Sequence, residues 1–281
     1  MKKWDSGSSF PPMMLDHTHT EPKIAGILLP SVLPDLYWLQ VALVSDSIYL
    51  QDQLKYSRKS KVHRGKIRTP AGSQWISIPV HPDDRNLPLH LCRVDGTTDW
   101  LTPLWRAIEY NYRNSIYFDF YEPELEDVFK RVAEIENYCD ACDYLTSVWF
   151  NWLEIPMPNI IRNRMVDSGH AHVPEHSSVT IDQATGKLSN EDKNNIPIAD
   201  MSPLESDMIM VRERHSLQYL PPTWGAIELH VPIPKYKQHF GSFFEDCCIL
   251  DLIFAVGPES WRITDQMILQ AKKFLKLTSQ N

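Results

Sequence analysis

The chain has 281 residues, of which 43% are apolar and 23% charged, with a net charge of −8 and an isoelectric point near 5.7. That length carries one large domain or two small ones without staples, and the acidic balance argues against general affinity for nucleic acid. No apolar run reaches transmembrane length, and the opening MKKWDSGSSFPP lacks the apolar core of a secretory signal, so a cytoplasmic chain with no membrane span and no nucleic-acid partner is expected.

Residues 1–23 read as a flexible arm, and 24–281 as a single domain. Gly26 to Leu33 (GILLPSVL) is a short apolar run stopped by Pro34, the pattern of a buried strand that empties into a loop. Leu36 to Leu43 predicts a short helix and Ser47 to Gln53 the next strand. Lys66 to Arg68 and Gln74 to Val80 flank Thr69-Pro-Ala-Gly72, the signature of a hairpin. In its second arm Trp75, Ser77 and Pro79 alternate with Ile76, Ile78 and Val80 at the period of a half-buried strand. Leu87 to Val94 is a further strand candidate.

Helices follow. Thr98 stands as N-cap before Leu101, Leu104, Trp105 and Ile108, which share one helical face. Glu122 to Tyr138 repeats Leu125, Val128, Phe129, Val132 and Ile135 at helical spacing, with Pro123 in the first turn, and Tyr144 to Trp152 continues it. Residues 166–204 are rich in Ser, Asn, Asp, Pro and His, so a mobile insertion is expected there. Ile227 to Val231 then reads as a strand, Cys248 to Val256 as a buried helix closed by Gly257-Pro258, and Ile263 to Leu277 as an amphipathic helix. The order of elements predicts an α/β (or α+β) class: a small mixed sheet with a hairpin, flanked by helices.

The strongest chemical signal is a local reversal of charge. Seven of the residues from Lys55 to Arg68 are basic: Lys55, Arg58, Lys59, Lys61, Arg64, Lys66 and Arg68. A cationic loop between buried strands is suited to gripping phosphate or carboxylate, whereas a charge run is also the ordinary dress of a solvated face. Arg64, Lys66 and Arg68 alternate, so they project from one face of an extended segment, and the planar fork of Arg64 suits an anion clamp. Arg64 can equally be a structural partner of Asp46 or Asp52.

Other residues carry alternative readings. Asp52 offers a general base or a metal ligand, although a strand-end Asp more often caps a loop. Tyr236 and Gln238 can hydrogen-bond a substrate, or anchor a loop near Pro232 and Pro234. Asp251 sits inside CCILDLIFAVG, where an ionised carboxylate needs a partner and a buried structural link is the simpler account. The five cysteines are odd in number and include a vicinal pair, Cys247-Cys248, which excludes a secreted disulfide framework. Cys139-x-x-Cys142 has no second such motif to complete a zinc site. His170, His172 and His176 have metal-compatible side chains, but lie in the polar stretch where preorganised ligation is not expected. No metal site is therefore assigned, and no cofactor is indicated.

ILLPSVLP, LYWLQVALVSDSIYLQD and YSRKSKVHRGKIRTPAGSQWISIPV together resemble the N-terminal half of the WbqC-like family. Trp100 with Tyr112, Tyr117 and Phe118 is similar to its following aromatic helix, and PKYKQHFGSFFEDCCILDLIFAVGPES to its ending. The resemblance covers about residues 24–135 and 227–260. Positions matching the family's motifs include Pro30, Pro34, Asp52, Tyr56, Arg64, Gly72, Tyr236, Gln238, Asp251 and Gly257. The family's opening His and Gln fall on Leu28 and Leu29, its Tyr on Val32, and the Asn before its Arg on His63. What the resemblance implies is a bacterial transferase, glycyl, acyl or sugar-modifying, in surface-polysaccharide (lipopolysaccharide, O-antigen) biosynthesis. Its partner would be an anionic small-molecule donor, a nucleotide-sugar or activated amino acid. For such a donor, the chemical reading of the residues above would make Asp52 the catalytic base and set Tyr56, Arg64, Lys66, Arg68, Tyr236, Gln238 and Asp251 around it. The lost His and Gln leave open a non-catalytic anion- or nucleotide-sugar-binding protein on the same fold.

Overall fold

The computed structural model describes residues 22–162, 208–214 and 225–278. Its centre is a parallel sheet of β1 (Ile24–Leu28), β2 (Ser47–Leu50), β5 (Asn159–Arg162), β6 (Ile209–Arg212) and β7 (Ile227–Glu228), in the order β5-β2-β1-β6-β7. The hairpin β3 (Arg64–Thr69) and β4 (Gly72–Ser77) forms a separate antiparallel ladder. Around them lie α1 (Leu36–Val44), α2 (Leu101–Tyr112), α3 (Phe118–Glu134), α4 (Tyr138–Trp152), α5 (Ile249–Val256) and α6 (Trp261–Thr278). The expected α/β class is observed, with its parallel and antiparallel pairings divided between two sheets.

β1 is buried along its whole length, as a central parallel strand must be when helices cover it. The apolar run that predicts a strand to Leu33 leaves the sheet at Leu28, because Pro30 and Pro34 break the ladder on the way to α1. α1 packs on β1 and under α6 with eight of its nine residues buried, so it shows no amphipathic period. Its start is set by Asp35, whose Oδ1 accepts the Trp38 N–H at 3.0 Å.

Two expected elements are divided differently. α3 begins at Phe118, so Pro123 lies inside it, and it stops at Glu134. Asn137 then caps α4, its Oδ1 accepting from Cys139 and Asp140. The break is held by the segment expected to be a strand at 87–94. That segment instead makes a short 3-10 turn at Leu89–Leu91 and isolated pairings, Val94 N–H donating to Glu136 O and Tyr138 N–H to Cys92 O. α2 starts at Leu101, after the position where Thr98 was expected to cap it; Thr98 binds Asp95, and Asp99 accepts from Thr102 N–H. All five cysteines are buried and unbridged. Among the described residues no helix is long and apolar enough to cross a membrane.

The hairpin is seated by two close contacts. Cys248 N–H donates to Lys66 O at 2.7 Å, which ties β3 to the start of α5. A Cβ at Gly65 would lie 2.7 Å from both Leu33 Cβ and Leu33 O, and 2.8 Å from Cys248 Cβ, so only glycine lets the strand approach. Gly257 is constrained in another way: it ends α5 at φ +57°, against the ring of Tyr117. Gly65→Ala should lower the unfolding midpoint in urea, by about 1–3 kcal/mol of stability, because backbone and core both stand in the way. An unchanged midpoint would mean that the hairpin does not seat on Leu33 and Cys248.

Candidate functional site

A parallel sheet gathers the carboxyl ends of its strands along one edge, and ligands of open α/β sheets bind there, where the strand order reverses. In this sheet the chain builds outward from β1 through β2 to β5, then returns to the other side of β1 for β6 and β7. The reversal lies between β1 and β6. A shallow cleft, open to solvent, lies at that point. Leu29, Pro30, Pro34, Trp38 and Val62 form its apolar wall, and Ser31, Asp35, Lys61 and Glu213 its polar groups.

Lys61 comes from the cationic run but turns away from the hairpin face. Its Nζ pairs with Asp35 and lies 3.8 Å from Glu213 Oε2. Burial works to lower its pKa, but the two carboxylates outweigh it and hold the ammonium above the ordinary lysine value. The loop is fixed to the strand exit as well, through Val32 N–H to Val62 O at 3.0 Å and Ser31 Oγ–H to Lys61 O at 3.2 Å. An ammonium has three donors, Asp35 takes one, and the side chain is 30% exposed, so donors remain for the cleft. The basic run pointed to this residue; Asp35 and Glu213 gave no signal in the sequence, because only the register of β1 and β6 brings them together.

Asp52 lies two residues beyond β2 on the same edge and is fully buried. Its Oδ2 accepts from Arg162 Nη1 at 2.8 Å, while Nη2 of Arg162 reaches Asp143. Arg162 ends β5, in register with Leu50. Sequence reasoning missed it, since β5 is too short to announce itself. The expected partnership of Arg64 with Asp46 or Asp52 is not formed: Asp52 binds Arg162, and Asp46 accepts the Ile24 N–H at 2.7 Å.

The hairpin cations divide by what they touch. Arg64 donates to Lys59 O and Ser60 O, closing the loop, and its guanidinium lies 4.3 Å over the ring of Trp75. Lys66 shares that ring at 5.0 Å and pairs with Asp246. Arg68 is 3% exposed and donates to the carbonyls of Thr69, Gly72, Phe240 and Ser242. Tyr56 is buried edge-on against His63, and burial raises its phenol while Arg85, Arg58 and Arg64 pull it down. Burial, then Arg64 and Arg58, depress the His63 pKa to about 4, so the ring is neutral near pH 7.

Tyr236, Gln238 and Asp251 do converge, but inside the protein. Tyr236 Oη–H and Gln238 Nε2–H donate to Asp251 Oδ2 at 2.6 and 2.8 Å, and Tyr112 Oη–H donates to Oδ1 at 2.8 Å. Gln238 also exchanges hydrogen bonds with the backbone of Phe244. These groups are hydrogen-bonded to one another. His170, His172 and His176, and the insertion at 166–204, lie outside the described residues. Among the described residues no three His, Cys, Asp or Glu side chains are arranged to hold a metal ion.

A model described as the WbqC-like protein family matches residues 30–191, more than half of the chain. The chain belongs to that family. An uncharacterized protein of Mycobacterium tuberculosis (strain ATCC 25618 / H37Rv), Rv1507c, is 29% identical over 97 residues, which are 34% of this chain and 42% of the relative. The chain thus matches less than half of that relative's length. No solved structure matches. The WbqC-like match takes in the β1 exit, the cationic loop, the hairpin and Arg162. It stops short of Glu213 and the Asp251 network, so the similarity read at 227–260 lies beyond it.

Two measurements probe this region. Asp52→Ala should destabilise the fold by about 3–5 kcal/mol in chemical unfolding, because Arg162 keeps a buried charge and loses a partner, whereas a loss under 1 kcal/mol would assign Arg162 to Asp143 alone. His63, whose pKa is depressed by folding, contributes stability above its ordinary value of about 6.5 that is lost as pH falls toward about 4. His63→Asn should flatten the stability profile across that window, measured by urea unfolding at stepped pH.

Proposed function

We propose that this protein is a transferase that takes a group from an anionic, activated donor bound at the cleft between β1 and β6. The observation that carries this reading is Lys61, held protonated by Asp35 and Glu213 at the switch point of a parallel sheet. An ammonium kept charged in a partly desolvated cleft stabilises the negative charge that develops on a departing phosphate or carboxylate. The cleft has room for about one water molecule, so a donor would meet it only with its reacting end and would otherwise lie outside it. Nucleotide-sugars and activated amino acids both fit that description. The setting in surface-polysaccharide biosynthesis rests on the family resemblance. Asp52, the carboxylate matching the family's motif, would serve as base only after parting from Arg162; as the structure stands it orients that arginine on the sheet edge.

The burial of Asp52, with Leu28 and Leu29 in place of the family's His and Gln, favours the second reading of a non-catalytic binding protein. Titration calorimetry with a panel of nucleotide-sugars and aminoacyl-adenylate analogues separates the two from an unrelated role. A ligand should bind the wild type, weaken at least about tenfold in Lys61→Met, and be largely restored in Lys61→Arg. Turnover of that ligand supports the transferase, and binding without turnover the second reading. If no member of the panel binds, both fall.

A further inference from the structure

The cationic run has an outer flank that neither the cleft nor the hairpin core uses. Lys61 and Lys66 are in ion pairs. Among the described residues, Lys55, Arg58, Lys59, Arg64 and Arg85 pair with no carboxylate, although acidic residues outnumber basic ones 36 to 28 in the chain. These five are gathered by the backbone. Tyr56 N–H donates to Leu87 O and Leu89 N–H to Leu54 O, which lays the segment carrying Arg85 beside the loop carrying Arg58. Arg58, Arg64 and Arg85 all act electrostatically on the Tyr56 phenol, so all three lie within charge range of that residue. Arg64 is preorganised: two of its donors close the loop on Lys59 O and Ser60 O, and its guanidinium lies flat on Trp75. His63 packs edge-on against Tyr56 and, being neutral near pH 7, adds no charge.

We infer that this flank is a binding site for a phosphate-bearing small molecule, with Arg58, Arg64 and Arg85 as its anion ligands. Like charges held together without counter-ions repel one another and destabilise the fold, and a bound polyanion relieves that repulsion. Arginine forks match the paired oxygens of a phosphate or diphosphate, which a set of lone lysines would not. The site does not include Lys61, and the inference does not rest on chemistry in the cleft.

The test uses the full chain and pyrophosphate as probe, at about 0.15 M salt, where diffuse surface attraction is largely screened. Pyrophosphate should raise the melting temperature saturably, as a ligand of the folded state does. The exposed substitutions Arg58→Glu and Arg85→Glu should each weaken its binding at least about tenfold by calorimetry, and Arg106→Glu, exposed on α2, should leave it unchanged. Stabilisation by sulfate equal to that by pyrophosphate, or pyrophosphate binding unmoved by either charge reversal, would overturn the assignment. Duplex DNA or vesicles of anionic lipid binding where pyrophosphate does not would overturn it too, in favour of a polymer or membrane surface.

Discussion

The arrangement turns on one buried carboxylate. Asp251 is fully enclosed on α5, where burial drives its pKa upward while the hydrogen bonds of Tyr236, Tyr112 and Gln238 and the charge of Arg68 draw it back. Those partners come from three different parts of the chain. Tyr112 is the last residue of α2, and its hydroxyl also accepts the Arg68 N–H of β3 at 2.8 Å. Tyr236 and Gln238 bring in the segment before α5, and that segment's carbonyls receive the Arg68 guanidinium. Meeting the demand of a single carboxylate therefore docks a helix, a hairpin and a loop on α5. The cationic loop is presented at a defined angle because its base is held there.

The same seven basic residues serve three separate ends. Arg68 is a structural bolt that uses its donors on backbone carbonyls. Lys61 faces the sheet edge between two carboxylates. Arg64 closes a turn and stacks on a half-exposed tryptophan. A charge count predicts the field of such a loop, but not the division of labour, which follows from where each side chain leaves the ladder. Arg68 stands at the turn end of β3, where the 240–244 segment covers it, and Arg64 stands at the open end.

Much of the fold was legible because its signals are local. The hairpin at Thr69–Gly72, the helices on either side of it, and the closing Gly257-Pro258 follow from turn chemistry and periodicity. What escaped has a common cause. β5 and β6 are four residues each, and what makes them strands is pairing with β2 and β1, which no local window contains. The continuous pattern through Ile135 concealed a break set by Asn137 and by pairing to residues 92–94. The site was legible to the same extent. Asp52, Arg64 and Asp251 stood out as polar groups in apolar or basic company. Arg162, which ends β5, and Glu213, which directly follows β6, decide what Asp52 and Lys61 can do, and pattern reading could not find those two strands.

The central strand carries a further implication for how the chain reaches its native state. β1 can pair with β2 across a single helix soon after synthesis, but its other edge pairs with β6, residue 24 meeting residue 209. Until the ribosome has released that later segment, a fully apolar strand is left with one row of amides and carbonyls unpaired, an open template for other chains. Long-range parallel pairing is also the slowest kind to form. Translation of this protein thus has a long vulnerable interval, in which a chaperone that shelters exposed strand edges would protect yield without touching the stability of the finished fold.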